Sequence, residues 1–264
     1  MRVLTFGYSP CPNDTFAFHA LAHGLVEAPF RVEPVLLDIE ELNARARRGE
    51  LQLTKLSVGA FPAVGDRYRL LRSGAALGRG VGPLVVAREP ASLEQAAAGR
   101  LAIPGRDTTA FLLLRLAAPG LGEVVELRYD RILTAVASGE VEAGLIIHES
   151  RFTYAEHGLV AVADLGDWWE SQTGMPIPLA GICARADLDD ELVAAAEDAI
   201  RASVEHAFAH REASREYVRA HAQELSDEVC DAHIDLYVND FTVDLGDDGL
   251  RAIEQLVGRA SLTA

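Results

Sequence analysis

SPCPNDTF, Ser9 to Phe16, stands between a short apolar run, Val3 to Phe6, and an apolar stretch carrying Phe16, Phe18, Ala20 and Leu21. Pro10 and Pro12 each fix their own φ and push the preceding residue out of the α region, so Ser9 to Pro12 reads as a stiff, extended loop. The spacing predicts a strand, a rigid loop, then a helix beginning near Asp14, with Asn13 or Asp14 supplying the N-cap oxygen. Open α/β sheets hold ligands at polar loops of this kind, beyond the carboxyl end of a strand and facing the free amides of a helix. Ser9 and Asn13 are candidate substrate contacts on that position alone. A capped proline turn without a ligand fits the pattern equally well.

Outward from this loop, strand and helix alternate. Arg31 to Leu37 reads as a strand and Asp38 to Arg48 as a helix capped by Asp38 and closed by Gly49. Leu51 to Lys55 is a short strand, followed after Ser57 by a helical turn with Ala60 and Phe61. Strands Tyr68 to Arg72 and Gly82 to Ala87 flank the glycine-rich GAALGRGVG, Gly74 to Gly82. A second series runs through helix Ser92 to Ala98, strand Leu101 to Ile103, PGRDTTA and an apolar helix. It continues with strand Val124 to Arg128, helix Arg131 to Ala137 between Asp130 and Gly139, and strand Val141 to Ile147, which delivers His148. Strands Leu159 to Leu165 and Leu179 to Ala184 follow, and from Asp187 onward the pattern is helical. This alternation predicts an α/β fold with a mainly parallel sheet.

Two segments correspond: Asp38, helix, Gly49-Glu50, strand, Lys55 to Ser57; and Asp130, helix, Gly139-Glu140, strand, His148 to Ser150. Each ends in polar residues just past a strand, which predicts two α/β lobes around a shared cleft. The expected division is residues 1–88 with 185–264 as one lobe and 89–184 as the lobe inserted into it. The glycine-rich stretch before Pro83 and the return near Gly181 to Arg185 are the expected hinge crossings.

Composition narrows the function classes. The chain has 264 residues, 49% of them apolar, ample for a large core. Its apolar runs fall far short of the ~20 residues of a membrane span, and strand residues begin directly after Arg2, so a cytoplasmic protein without a membrane partner is expected. A formal charge of −16 disfavours nucleic acid. Cys11, Cys183 and Cys230 are odd in number and widely spaced, which predicts reduced, buried thiols, with packing favoured over nucleophilic chemistry for Cys11. No metal-ligand spacing and no dinucleotide or phosphate-loop motif is present, so neither a metal nor a cofactor is expected. Of 24 Lys plus Arg, Lys55 is the single lysine, which singles it out as a position where a compact ammonium is needed.

SPCPNDTF, LTKLS (Leu53 to Ser57), GRGVGPLVV (Gly78 to Val86), PGRDTTA (Pro104 to Ala110), GLIIHESRFTY (Gly144 to Tyr154) and AHAQELSDEV (Ala220 to Val229) occur in this order across most of the chain. Together they resemble the 1,4-dihydroxy-6-naphthoate synthase family of the futalosine route to menaquinone. The resemblance implies a two-lobed type II periplasmic-binding-protein-like fold. It also implies a carbon-carbon lyase that releases 1,4-dihydroxy-6-naphthoate from cyclic dehypoxanthine futalosine, an anionic small molecule, without a cofactor. A chorismate dehydratase of the same pathway and a non-catalytic small-carboxylate-binding protein are the alternatives.

His148 stands at the end of a buried strand, and a histidine with pKa near ~6.5 is suited to removing a proton. The residues alone leave general base and satisfied core histidine evenly matched; the resemblance implies the base. Glu149 and Arg151 are expected to orient or neutralise it. His157, His206, His210, His221 and His233 read as surface or packing residues. The resemblance assigns substrate contacts to Lys55, Leu56 and Ser57 in one lobe and to Thr109 and Ala110 in the other. Thr108 joins them on position, since either threonine stands where a helix opens its free amides and positive dipole end to an anion. Trp168 and Trp169 read as core or as a cover for an aromatic substrate. Oligomeric state is not encoded in any of these patterns.

Overall fold

The computed structural model describes residues 1–222 and 226–260. β1 (Arg2–Tyr8) passes after three residues into α1 (Pro12–Ala22). Pro12 opens the helix, where its missing N–H would have no partner in any case. The residue before the helix is Cys11, whose carbonyl accepts from the amides of Asp14 and Thr15 at 3.1 Å. Neither Asn13 nor Asp14 is therefore the N-cap, and the Asp14 carboxylate is turned back to the Ser9 amide and hydroxyl at 3.0 and 2.7 Å. α1 is buried on every side from Pro12 to Leu21, in keeping with its apolar residues Phe16, Ala17, Phe18, Ala20 and Leu21 around a single His19.

β2 (Phe30–Leu36), α2 (Ile39–Arg47), β3 (Leu53–Ser57), α3 (Phe61–Val64), β4 (Tyr68–Leu70) and β5 (Ala76–Gly78) follow. Then come β6 (Leu84–Ala87), α4 (Leu93–Ala98), β7 (Leu101–Ile103), α5 (Thr109–Ala117), β8 (Val124–Glu126), α6 (Tyr129–Ser138) and β9 (Ala143–Ile146). α7 (Ser150–Thr153), β10 (Val160–Asp164), α8 (Leu165–Thr173), β11 (Ile177–Arg185) and α9 (Asp190–Ala209) lead to the terminal helices α10 (Arg215–His221), α11 (Asp227–Tyr237), α12 (Asp240–Val243) and α13 (Gly246–Ala260). Asp38 caps α2 by accepting from the Glu40 amide, and Gly139 ends α6 in the left-handed conformation, as their positions predict. The Ala220 to Val229 string lies partly outside the described residues, as does the end of the terminal helical pattern at 261–264.

Two sheets result. The first has the order β2-β1-β3-β11-β4, with β5 also on β11; the second has the order β10-β6-β9-β7-β8. Both are mixed, which corrects the expectation of a mainly parallel arrangement. β1 runs parallel to β2 and β3, but β11 is antiparallel to β3, β4 and β5; β7 is parallel to β8 and β9, while β6 is antiparallel to β9 and β10. The exceptions, β6 and β11, lie beside the passages of the chain from one sheet to the other and back, where no local βαβ unit fixes strand direction. Sheet membership changes between Gly78 and Leu84 and again between Asp164 and Ile177. The first crossing falls in the glycine-rich stretch. The second precedes Gly181, and β6 joins the second sheet and β11 the first, opposite to the division expected at 88 and 185.

Each sheet is covered by helices, with α1 and α9 over the first and α5 and α6 packed on the second. Cys11, Cys183 and Cys230 are all buried and outside any disulfide. Among the described residues no helix is long and apolar enough to cross a membrane.

Candidate active site

The carboxyl ends of β1, β3 and β9 and the start of α5 meet around a cleft of roughly 600 Å³ including its open mouth. Ser9, Asn13, Lys55, Ser57, Thr108, Thr109, Ala110 and His148 all line it. Leu56 does not. Side chains alternate along β3, so Lys55 and Ser57 face the cleft while Leu56 packs with Val64, Tyr68 and Cys183 on the opposite side. The Leu56 side chain is thus turned away from the cleft.

Lys55 is buried and paired with Asp14, and the carboxylate gathers donors from three segments. Oδ2 accepts from Ser9, and Oδ1 accepts from Lys55 and, at 2.9 Å, from the Asn13 amide. A buried ion pair of this kind holds only when the remaining lone pairs are also satisfied. The Asn13 carbonyl in turn meets His233 Nε2 at 3.0 Å. Asn13 thus faces the cleft with its amide group already committed to protein partners.

Asn43, fully buried on α2, clamps Ser57 from behind: its Nδ2 donates to Ser57 Oγ and its Oδ1 accepts from the Ser57 amide, both at 3.0 Å. The Ser57 hydroxyl proton is left for a cleft acceptor. Thr108 caps α5 by accepting from the Phe111 amide at 3.2 Å and donates to the Gly105 carbonyl at 2.8 Å. Thr109 bridges the sheets, donating to the Leu179 carbonyl at 2.6 Å and accepting from the Gly59 amide at 3.0 Å. Both threonine protons are therefore used within the protein. What the helix offers an anion is the amides and positive dipole end at Thr109 and Ala110.

His148 occupies the turn between β9 and α7 with φ +56°, the one non-glycine positive φ among the described residues. Side chains rarely adopt this conformation, which costs about 1–3 kcal/mol and concentrates at functional positions. Tyr129 packs edge-on against the imidazole with ring centroids 4.9 Å apart. Nε2 is buried and without a hydrogen-bond partner among the described residues. Burial, reinforced by the Lys55 ammonium and opposed by Asp14, pushes the imidazole pKa down to about 4, so the ring is neutral at pH 7. Arg151 does not orient it; that guanidinium bonds the Gly82 carbonyl and Asp164, each at 2.6 Å.

Cys11, His148 and Glu149 each bring one potential metal-ligand atom within 4.8 Å of the others, a grouping that sequence spacing did not reveal. Burial, and next the Glu149 carboxylate, push the Cys11 thiol pKa well up, so it is a protonated thiol rather than a nucleophile or ready ligand. Trp169 is core, its indole donating to the Pro176 carbonyl at 3.1 Å, and Trp168 packs beside the same cluster; neither lines the cleft.

Residues 4–262 match the model of a menaquinone-biosynthesis family. The chain belongs to that family. Within it, a 1,4-dihydroxy-6-naphthoate synthase of Thermus thermophilus is 59% identical over 98% of this chain and 94% of its own length. A crystal structure of a protein from Archaeoglobus fulgidus superimposes with a TM-score of 0.93 at 38% identity, covering 98% of this chain and 97% of that one. The ligand-binding component of an ABC-type import system from Staphylococcus aureus gives a TM-score of 0.72 at 16% identity over 99% and 93% of the two chains, which shows the periplasmic-binding-protein-like fold. The family's two-lobed fold thus follows the resemblance read from the sequence strings.

The cleft also contains residues that sequence reasoning missed. His233 and Tyr237, from α11, line it, although His233 reads as a packing residue in the sequence. Their spacing of four residues puts both on one helix face, which was a usable signal. Nothing local identified that face as the one turned to the cleft.

Proposed function

We propose that this chain is a lyase that converts cyclic dehypoxanthine futalosine to 1,4-dihydroxy-6-naphthoate, with His148 as the general base. The observation that carries this reading is His148 itself: a neutral imidazole in a strained turn, lining a cleft that is also lined by the open end of a helix. The substrate carboxylate docks at the Thr109 and Ala110 amides, and the Ser57 hydroxyl donates to a second substrate oxygen. Lys55 stays paired with Asp14 and turns a positive side toward the cleft. His148 takes a carbon-bound proton, the electron pair left behind forms the new ring double bond as a carbon-carbon bond breaks, and the electrons of that bond leave with the departing fragment, which recovers a proton from the imidazolium. Aromatisation provides driving force without a cofactor, and closure of the lobes about the substrate keeps water from the reacting carbon.

Incubation of the purified protein with cyclic dehypoxanthine futalosine, followed by absorbance and mass of the naphthoate, tests the reaction. His148→Asn is expected to lower kcat by roughly 10²- to 10⁴-fold with little change in KM, the loss typical of a general base. Saturable binding of the substrate without turnover by the wild-type protein would make this a binding protein. Wild-type kcat in His148→Asn would remove that residue from the chemistry.

A further inference from the structure

His233 is 1% exposed, yet it lines the cleft, and the hydrogen bonds around it determine which ring nitrogen carries its proton. Asp14 Oδ1, paired with Lys55, is an acceptor, so the Asn13 group that meets it at 2.9 Å is the amide NH₂. The Asn13 atom facing His233 is then the carbonyl oxygen, and at 3.0 Å it requires His233 Nε2 to donate. Burial, with His148 and Lys55 adding to it, lowers the His233 pKa well below its ordinary value, so the ring carries one proton. That proton is on Nε2, and Nδ1 is left as a lone pair. Nδ1 is buried and has no hydrogen-bond partner among the described residues. An unpaired acceptor in a buried wall costs free energy unless a ligand supplies the donor.

We propose that His233 Nδ1 forms a hydroxyl-recognition subsite, accepting a hydrogen bond from an uncharged O–H of the substrate and thereby fixing which end of the molecule faces α11. The assignment rests on the lyase reading above and deepens it. The cleft then has two chemically distinct poles. The start of α5 takes the carboxylate, and the neutral imidazole takes a hydroxyl and repels a second carboxylate, because a lone pair offers an anion no proton. His148, with its ring centroid 6.5 Å from that of His233, faces the substrate held between them. Asn13, Asp14 and Lys55 act on the substrate through His233 as positioning residues.

The test uses two substitutions with opposite expectations. His233→Asn keeps a carbonyl oxygen near the place of Nδ1 but cannot reach Asn13; His233→Gln can reach Asn13 but vacates the Nδ1 place. The subsite predicts that kcat/KM for cyclic dehypoxanthine futalosine falls about tenfold or more in His233→Gln and distinctly less in His233→Asn. The reverse order would reduce His233 to a support for Asn13, wild-type values in both would remove it from substrate binding, and either result overturns the assignment. ¹⁵N NMR of the wild-type protein reads the same question without a variant: on saturation with the naphthoate product, the Nδ1 resonance moves in the direction of a hydrogen-bonded nitrogen. Turnover by the wild type with an unmoved Nδ1 overturns this assignment alone; no turnover overturns the lyase reading and the assignment with it.

Discussion

His148 combines two properties that pull in opposite directions. A pKa near 4 keeps the base unprotonated at neutral pH, but it also makes the base weak, since proton removal is most effective when the catalytic pKa lies near the working pH. An anionic substrate reconciles them. Its negative charge favours the imidazolium, so the pKa rises once substrate is bound. The acid limb of kcat/KM, which reports free protein, is therefore expected near pH 4, and the acid limb of kcat is expected at higher pH. Coincident limbs at 6.5 would show that burial does not govern the imidazole. The sign for stability follows from the same depression. As pH falls from about 6.5 to about 4, the unfolded chain takes up a proton that folded His148 refuses, so its contribution to stability declines across that window. At this scale the placement of His148 and the α5 threonines in the cleft was legible because each follows a strand end or opens a helix, while Lys55 and Ser57, within β3, were marked by the lone lysine and by the family strings. Asp14 was legible only as a cap, and Asn43 and His233 were not, since their roles depend on contacts with residues 14 and 220 positions away.

The elements were legible where local chemistry decides them. β7 lies at its expected residues, α2 starts after Asp38, α4 carries the Ser92 and Gln95 capping box, and α6 stops at Gly139. β5 was hidden in the glycine-rich stretch because its partner is β11, a strand about 100 residues onward, and no local periodicity announces such a pairing. The turn Val58–Ala60 makes a sharper point about closeness between elements. A Cβ on Gly59 would lie 2.9 Å from the Thr108 carbonyl oxygen and 3.1 Å from that of Asp107, both main-chain atoms at the start of α5. Gly59→Ala is expected to push α5 away from β3 and lower kcat/KM by about 10- to 100-fold, the effect of misplacing a binding group by a fraction of an ångström. The melting temperature should change little, since alanine itself favours a helical turn. Wild-type kcat/KM would mean that α5 need not approach this closely for binding.

At the scale of the whole molecule, the two sheets meet beside the cleft through polar contacts. The Asp107 amide donates to Glu40 Oε1 at 3.0 Å, Arg47 pairs with Asp107, and Thr109 ties Gly59 to the Leu179 carbonyl. An apolar cluster also joins the two sheets, with Leu77 of β5 and Ile177 of β11 packed with Val85 of β6, Leu101 of β7 and Leu145 of β9. Contacts of this polar kind exchange readily for water, so they suit a surface that must part to admit substrate and meet again around it. Glu40 is the decisive member because burial raises its pKa while the Asp107 amide and Asn43 stabilise its charge. A hydrogen bond to a charged group contributes about 1.5–3 kcal/mol, enough to shift an open-closed equilibrium by roughly tenfold or more. Glu40→Ala is therefore expected to raise KM about tenfold, because apparent affinity falls with the fraction of closed protein, while kcat changes by less than about twofold once substrate has closed the lobes. Glu40→Gln keeps an acceptor for the Asp107 amide and should lie between the two. Small-angle X-ray scattering offers an independent readout: ligand-free Glu40→Ala should have a larger radius of gyration than the wild type, and saturating substrate should restore it. Unchanged KM together with unchanged scattering would show that closure is set by the substrate's own contacts with the two walls and not by the Glu40 bond.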